Sequence, residues 1–222
     1  WSTLGRETSS QQVEWDDDGW RYIVGGHGGQ RYVDAPRDGI TTDAPIHHNQ
    51  HDEFESHALD LNWNTLRVPF TEKMGHVGDG ELVLHGQGSL RNLFDLSLVA
   101  RRWQAFNFDS QVYLDFNPTT YMAMAGLTNY YNDFCWAWIY VTWDEKRECR
   151  VIDVAQNNRQ TYTTVLQDKA SAIPDGVRGV WLRTKVRTQS YTYEYSFDGE
   201  NWHEIPVQFD AALLSDEYIN QT

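Results

Sequence analysis

The sequence is poor in basic residues and contains no long apolar run. Its 222 residues include 18 Lys and Arg against 32 Asp and Glu, which gives a formal net charge of -14. A surface of that sign repels phosphate backbones, so nucleic acid is not an expected partner. No stretch of about 18 apolar residues exists, so the sequence predicts no membrane span. The basic and then apolar start that marks a signal peptide is also missing.

Cysteine is scarce, and the two that occur, Cys135 and Cys149, are not expected to form a disulfide. They flank a polar turn at Asp144–Arg147 between two strand-like runs. With the turn centred midway, Cys149 faces about Thr142, and Cys135 lies about seven residues further along, roughly 23 Å away. A disulfide cannot bridge that distance. Free thiols favour a reducing compartment, so we expect a cytoplasmic protein.

Several signature motifs are absent as well. The sequence has no Walker loop, no Gly-x-Gly-x-x-Gly after a strand, no His-Glu-x-x-His and no Gly-x-Ser-x-Gly, so phosphate-cradling and serine-nucleophile interpretations lose support. The chain also starts at Trp1 without an initiator Met. We therefore expect a part of a longer protein, with further chemistry upstream.

Aromatic side chains, by contrast, are abundant: they make up 14% of the residues, with 10 Trp, 12 Tyr and 9 Phe. A disordered acidic chain lacks the apolar surface that offsets ordering entropy, so this content predicts a packed domain. Two uses of the rings stay open. They fill a core or cover a domain interface, or they stack on sugars as the exposed rings of a carbohydrate-binding module do.

The chain divides into three parts. Residues 1–36 have the pattern of short strands and tight turns, with a hairpin turn at Asp16–Gly19, and residues 37–51 have no periodicity and are predicted to be a linker. Residues 52–222 contain short alternating runs separated by Gly, Asn, Asp and Pro, which predicts an all-β fold, an antiparallel β-sandwich. Asp210–Tyr218 is the one segment of helical character. The strand-like runs are Leu82–His85, Ser97–Trp103, Phe106–Phe116, Met122–Leu127, Phe134–Trp143, Arg150–Ala155, Tyr162–Leu166, Gly179–Val186, Tyr191–Phe197 and Trp202–Val207.

Two of these runs indicate which side chains point inward. Tyr191, Tyr193 and Tyr195 alternate with polar residues, so a period of two puts three rings on one face and polar groups on the other. Phe134–Trp143 is apolar on both faces, as a strand in the centre of a covered sheet would be.

The densest cluster of metal-ligand side chains surrounds the predicted linker. Imidazole and carboxylate groups can bind a divalent metal. Spacings of one and four residues bring such ligands together only on a helix, which Pro45 and the polar loop composition oppose. A structural linker is therefore favoured over a metal site. The members of this cluster are His47, His48, His51, Asp52, Glu53, Glu55 and His57.

Most acidic residues lie in predicted polar turns, as Asp144, Glu145, Asp198 and Glu200 do. Asp16–Asp18 lacks the alternating spacing of a calcium loop and is predicted to be a solvated turn. Glycoside hydrolysis needs two acids about 5 to 10 Å apart across a sugar, one of them desolvated. Surface turns are the simpler interpretation, although the number of acids leaves many pairs open.

Several segments, in order, resemble glycoside hydrolase family 43 β-xylosidases, and the resemblance covers nearly the whole chain. Two early segments resemble the last blade of that family's five-bladed β-propeller: Leu4–Thr8 and Glu14–Trp20. Later segments resemble the family's C-terminal concanavalin-A-like jelly-roll sandwich: Asp52–Phe54, Trp63–Pro69, Leu98–Arg102, Ala125–Tyr131 and Tyr195–Trp202. Each motif is weak alone, and their common order and spacing make the match specific.

The resemblance implies an enzyme whose catalytic acids lie outside this chain. In such enzymes a general base, a general acid and an orienting aspartate come from earlier propeller blades, so no catalytic residue is assigned here. The one site residue that carries over is the arginine of the Gly-Arg-Glu-Thr motif, here Arg6, which is expected to bind the sugar substrate. Its alternative role is a salt bridge that closes the last blade. No metal or other cofactor is assigned to this chain, and a metal ion in the upstream propeller stays open.

The implied activity is inverting hydrolysis of xylose, or of arabinose, from the non-reducing ends of xylo-oligosaccharides. The implied partners are that substrate, the upstream propeller domain, on which the sandwich packs to shape the pocket, and further copies in a homo-oligomer. Family members continue past the segment that resembles Leu214–Tyr218 into final strands, so residues 52–222 are expected to lack closing strands. The alternative class is a free-standing lectin-like module that binds xylan.

Overall fold

A computed structural model describes Leu4 and residues 10–26, 29–30, 32–34 and 50–220. The chain forms two compact units, Arg6–Asp52 and a larger one of Trp1–Gly5 with Glu53–Thr222. The described residues contain one α-helix, α1 (Asp216–Asn220), and two 3-10 turns at Gln167–Lys169 and Ala211–Leu214. Their strands are β1 (Val13–Trp15), β2 (Arg21–Ile23), β3 (Asn64–Thr65), β4 (Gly75–Gly78), β5 (Glu81–Leu84), β6 (Val99–Ala100), β7 (Asn107–Asp115), β8 (Ala125–Asn132), β9 (Cys135–Asp144), β10 (Cys149–Asn158), β11 (Thr161–Thr164), β12 (Ser171–Ala172), β13 (Gly179–Arg187), β14 (Ser190–Ser196), β15 (Trp202–Glu204) and β16 (Phe209–Asp210).

The smaller unit contains the hairpin predicted near the start of the chain. β1 pairs with β2, with Val13 opposite Ile23. The side chain of Asp16 forms the turn, because its Oδ1 accepts hydrogen bonds from the backbone N–H groups of Asp18 and Trp20 at 3.0 and 2.8 Å. The Asp-rich segment is therefore a turn, as predicted.

The larger unit is built on two antiparallel sheets. The first sheet has the strand order β11-β10-β9-β8, and β12 also pairs with β10. The second has the order β15-β14-β13-β7, and β16 also pairs with β14. β9, the strand predicted to be central, lies between β8 and β10 and is buried on both faces. The packed sheets confirm the predicted β-sandwich.

The main hydrophobic core lies between the two sheets. The tyrosine alternation is confirmed, because Tyr191 and Tyr193 are buried in this core and Tyr195 packs against it. The Tyr193 hydroxyl donates to the Ala137 carbonyl at 2.6 Å and lies 2.9 Å from the Asn129 amide nitrogen, so hydrogen bonds join the sheets through their interior. The buried aliphatic members are Ala137, Ile139, Val141, Ile152, Val154, Ile173, Val180, Leu182, Val186, Ile205, Ala211 and Leu214.

A second core lies on the outer face of the first sheet. Residues 53–106, which we call the covering segment, pack against that face and contain the short ribbons β3–β6 and β4–β5. The sequence predicted strands at β5 and β6. It missed β3 and β4, because Asn64–Thr65 and Gly75–Gly78 show no alternation of apolar side chains. The buried members of this core are Leu90, Leu96, Leu98, Trp136, Tyr140 and Ala155.

Cys135 and Cys149 are unpaired thiols, as predicted. Cys149 lies opposite Asp144, and Cys135 lies opposite Asn158 at the other end of the β9–β10 hairpin. The two thiols are thus separated by about nine residues along the hairpin, roughly 30 Å at 3.3 Å per residue. No disulfide can form between them without unfolding the sheet.

The predicted register of this hairpin is wrong by two residues. Cys149 faces Asp144, not Thr142. Asp144 Oδ1 accepts hydrogen bonds from the backbone N–H groups of Lys146 and Arg147 at 2.9 and 3.0 Å, which places the turn after Asp144. Because a side chain fixes this turn, strand alternation alone could not locate it.

Two further sequence predictions have different outcomes. β8 was expected at Met122–Leu127 and instead runs from Ala125 to Asn132, with an irregularity between Tyr130 and Asn132. The helical character of Asp210–Tyr218 is confirmed by the 3-10 turn and α1. No helix in the described part of the chain is long and apolar enough to cross a membrane.

Candidate functional site

The residues singled out from the sequence are only partly described. Arg6, the predicted sugar-binding residue, lies outside the described residues, and so do His47 and His48. His51 and His57 are described. Among the described residues, no group of three or more His, Cys, Asp or Glu side chains is arranged to hold a metal ion.

Two of the acids predicted in polar turns act as turn caps. Asp144 pairs with the Arg147 Nε at 2.6 Å, and this contact, together with backbone N–H donors, lowers the pKa of Asp144. The Asn201 amide, which donates to Asp198 at 2.7 Å, lowers the pKa of Asp198 in the same way. Carboxylates whose charge is stabilised in this manner are poor proton donors near neutral pH.

Two other acids, Asp153 and Glu194, are buried. Ile152 and Val154 point into the main core, so Asp153 between them points to the outer face of the first sheet. By the same alternation, Glu194 next to Tyr193 points to the outer face of the second sheet. Both carboxylates face away from a sandwich whose sheets pack about 10 Å apart, so they cannot flank one glycosidic bond.

The Asp153 carboxylate accepts hydrogen bonds from the backbone. Its Oδ1 accepts hydrogen bonds from the N–H groups of Val154 at 2.6 Å and Leu166 at 3.1 Å. Burial raises the pKa of Asp153 by more than these donors lower it. We call this outer side of the first sheet the covered face.

The covered face carries a cluster of four rings. Trp138 stacks on Tyr140 with 4.8 Å between ring centroids, and Trp136 contacts Trp138 edge-on at 6.3 Å. Tyr162 on β11 contacts Trp136 at 6.0 Å and is half exposed at the margin. Burial also raises the pKa of the Tyr140 hydroxyl. These rings mainly build the second core.

The outer side of the second sheet, which we call the open face, carries rings of a different kind. Tyr113, Trp181, Ser196 and Trp202 lie directly opposite one another on β7, β13, β14 and β15. The ring centroids of Tyr113 and Trp181 are 5.2 Å apart. Tyr113 is 46% exposed, and no hydrophobic cluster of the described residues covers this row.

Charged side chains flank this aromatic row and form ion pairs with one another. Arg183 pairs with Glu194 through Nε at 2.8 Å and through Nη2, and its guanidinium lies 3.5 Å from the ring centroid of Trp202. Lys185 Nζ lies 3.0 Å from the other Glu194 oxygen. The face is thus an array of fixed hydrogen-bonding groups beside the exposed ring of Tyr113 and the partly exposed rings of Trp181 and Trp202.

The position of Tyr113 in its strand is the sequence signal for this row, which is absent from the candidate residues above. In Phe106–Phe116, the apolar residues that pack against the core are Phe108, Val112, Leu114 and Phe116. Tyr113 is therefore an aromatic residue at a position whose parity predicts solvent. An aromatic ring on the polar side of an amphipathic strand is an exposed apolar group, and such a group indicates a candidate binding surface.

Comparison with known proteins gives consistent results. Residues 51–222 match the family model described as "Beta xylosidase C-terminal Concanavalin A-like domain". The chain is 39% identical over 218 residues to a putative β-xylosidase of Escherichia coli (strain K12) and 38% identical over 218 residues to a β-xylosidase of Bacillus subtilis (strain 168). Each alignment covers 97% of this chain and 40% of the relative.

A solved structure shows the same similarity in three dimensions. The crystal structure of xylan beta-1,4-xylosidase from Bacillus halodurans C-125 superposes with a TM-score of 0.84 at 30% sequence identity. The superposition covers 97% of this chain and 41% of that one. The chain therefore spans about 40% of the length of the curated relatives that it matches.

Proposed function

The chain belongs to the family of β-xylosidase C-terminal concanavalin-A-like domains of glycoside hydrolase family 43, and on that premise we propose that it is the C-terminal part of an exo-acting glycosidase. The complete protein releases xylose from the non-reducing ends of xylo-oligosaccharides. The extent of the two alignments is the main support for the proposal, because 97% of this chain aligns with 40% of each β-xylosidase. The same coverage does not favour a free-standing xylan-binding module.

The proposed reaction is hydrolysis with inversion. A general base activates a water molecule, and a general acid protonates the leaving oxygen from the opposite side of the sugar. We propose that both acids lie in the part of the protein that precedes this chain. The opposite orientation of Asp153 and Glu194, the two buried acids of the sandwich, supports this placement.

We propose that the sandwich packs on the catalytic domain through the covering segment and so shapes the pocket. Val68, Pro69, Met74 and Phe94 are among the residues that line a groove of about 260 Å³ on this segment. Phe94 is 61% exposed in the described structure. An exposed ring beside an apolar groove is typical of surfaces that another domain covers.

Arg6 is proposed to bind the sugar substrate. A guanidinium stays charged and donates in a fixed fork to hydroxyl groups. In the complete protein, Arg6→Ala should lower kcat/KM for an aryl xyloside about ten- to hundredfold, which corresponds to loss of a hydrogen bond to a charged group. If Arg6 instead closes the last blade by a salt bridge, the melting temperature falls while kcat/KM of the folded fraction is retained.

Three finer expectations belong to the same proposal. Activity on arabinofuranosides is tested by turnover of an aryl arabinofuranoside. A cytoplasmic location is supported by the unpaired thiols of Cys135 and Cys149 and is tested by cell fractionation. Assembly into a homo-oligomer is tested by light scattering on the complete protein.

The decisive experiment compares the complete protein with a version that lacks residues 52–222. The complete protein should hydrolyse an aryl xyloside and release the inverted sugar. The truncated version should lose most of this turnover while its propeller stays folded, because the sandwich no longer shapes the pocket. Absence of turnover on xylosides by the complete, folded protein would contradict the proposed activity.

A further inference from the structure

We propose that the open face of the sandwich is an accessory binding surface for a neutral polysaccharide chain, separate from the pocket where sugar is released. The polymer class, xylan, rests on the proposed function of the complete protein. The surface consists of the row of Tyr113, Trp181 and Trp202 with the polar groups beside it. It holds the polymer without taking part in hydrolysis.

The first support is the position of the Tyr113 ring. A Cβ atom at Gly179 would lie only 2.6 Å from Cζ and from the hydroxyl oxygen of Tyr113, so the ring lies directly over this glycine. Because Gly179 has no side chain, the ring can lie against the sheet and turn its other side to solvent. An aromatic ring presented in this way offers a surface to the C–H groups of a sugar.

The second support is the direction of the row. Tyr113, Trp181 and Trp202 lie on β7, β13 and β15, so the row runs across the strands. With neighbouring strands about 4.8 Å apart, the row spans about 14 Å from β7 to β15. A linear run of this length suits an extended oligosaccharide better than a compact ligand.

The third support is the charge of the face. Its ion pairs are Arg178 with Asp115, Arg183 and Lys185 with Glu194, and Arg187 with Asp109. With Glu204, which lies opposite Glu194 on β15, the face carries four cationic and four anionic side chains, within a chain whose formal net charge is -14. A charge-balanced surface neither attracts phosphate nor repels a neutral ligand, and its fixed donors and acceptors suit hydroxyl groups.

A purely structural role for Tyr113 makes a different prediction. An aromatic side chain across from a strand glycine can stabilise the sheet by shielding the backbone. Leucine at this position retains apolar cover over Gly179 but lacks a flat face for stacking. Tyr113→Leu therefore separates the two roles, and Tyr113→Phe retains both.

The test is affinity electrophoresis of the complete protein in gels that contain soluble xylan. Tyr113→Ala and Tyr113→Leu should weaken retention about two- to tenfold, in line with the loss of one aromatic stacking contact. Tyr113→Phe should be retained as the original protein is. Tyr121→Ala is the matched control, because Tyr121 is also an exposed tyrosine, 62% accessible, but lies outside the open face.

Two further measurements make the outcome specific. The kcat/KM for an aryl xyloside, which reports only on the pocket, should be equal in all of these variants. Unchanged retention of Tyr113→Ala and Tyr113→Leu would overturn the proposal, and so would a changed molar mass in light scattering, which would identify the row as an interface between copies. Loss of retention in a protein that does not hydrolyse xylosides would instead contradict the proposed function and leave the binding surface intact.

Discussion

The two outer faces of the sandwich carry similar residues, whose aromatic rings are more deeply buried on one face than on the other. Each carries an aromatic row and one buried carboxylate. On the covered face, Trp136 and Tyr140 are 4% and 3% exposed, whereas Tyr113 on the open face is 46% exposed. The carboxylate of Asp153 is held by backbone N–H groups, and that of Glu194 by Arg183 and Lys185. The difference comes from the covering segment, whose Leu90, Leu96 and Leu98 pack on the outer face of the first sheet.

This contrast assigns the aromatic rings to the two uses considered from the composition, which are filling a core and binding sugars. The rings under the covering segment build a second hydrophobic core, so their contribution is to stability. On the open face, the Tyr113 ring is about half exposed and stands beside paired charges. Replacing a ring should therefore cost stability on the covered face, whereas replacing Tyr113 on the open face should change little but binding.

The largest effect is expected at Trp136. Replacing this buried ring by alanine removes apolar contacts and leaves a cavity between β9 and the covering segment, so Trp136→Ala should lower the free energy of unfolding by about 3–5 kcal/mol. Urea unfolding followed by circular dichroism measures this cost. Tyr113→Ala is the open-face counterpart and should cost about 1 kcal/mol or less. Equal costs at the two positions would show that both faces are covered.

The next effect concerns the buried acid of the covered face. Asp153→Ala leaves the N–H groups of Val154 and Leu166 without their acceptor and should cost about 1–3 kcal/mol. Asp153→Asn keeps an acceptor oxygen and should cost less. Urea midpoints of the two variants provide the comparison, and an equal loss in both would mean that the charge, not the acceptor, is what the fold needs.

Asp153 also makes the free energy of unfolding depend on pH. Its pKa is raised in the folded protein, so the folded state binds the proton more tightly than the unfolded chain does. The contribution of Asp153 to stability is therefore full below the ordinary carboxyl range, near pH 4, and is lost as the pH rises through the raised value. Unfolding free energies measured across this range should fall more steeply for the original chain than for Asp153→Asn.

A smaller effect is expected at Glu194. Glu194→Gln leaves Arg183 and Lys185 without a counter-charge, and because these two side chains are 20% and 34% exposed, water offsets part of the loss. We expect a cost of about 1–2 kcal/mol in urea unfolding. Glu204→Gln, at the exposed acid directly opposite on β15, is the control and should be neutral or slightly stabilising.

The smallest effect is expected at the edge of the open face. Asp109 pairs with Arg187 at 2.6 Å, and both side chains are exposed. Asp109→Asn should change the free energy of unfolding by no more than about 0.5 kcal/mol, and less at high salt. Thermal melts at two salt concentrations check this, and a salt-independent loss of several degrees would mean that the open face is more enclosed than its exposure indicates.

The sequence predicted the strands that have a clear apolar pattern. It did not predict the features that depend on side-chain contacts, which are the register of one hairpin and the second core. The runs Tyr191–Phe197 and Phe134–Trp143 match the observed strands to within one residue at each end, because their alternation or continuous apolar character is strong. The β9–β10 register was missed because the Asp144 side chain, not the strands, sets the turn.

The second core could not be predicted from local patterns. The covering segment contains β3 and β6, strands of only two residues, and its Leu90, Leu96 and Leu98 lie in turns and loops outside any strand. They become core residues only because they contact the already formed first sheet. Arg6 stays a prediction, since it rests on resemblance and lies outside the described residues.

Whether catalysis lies outside this chain can be decided by assaying the 222-residue chain alone with an aryl xyloside. With Asp153 and Glu194 on opposite outer faces and its other acids in turns such as those of Asp144 and Asp198, we predict no release of the aryl group above background. Restoring the upstream sequence should then produce turnover. Turnover well above background by the chain alone would contradict this account of where the catalytic acids lie.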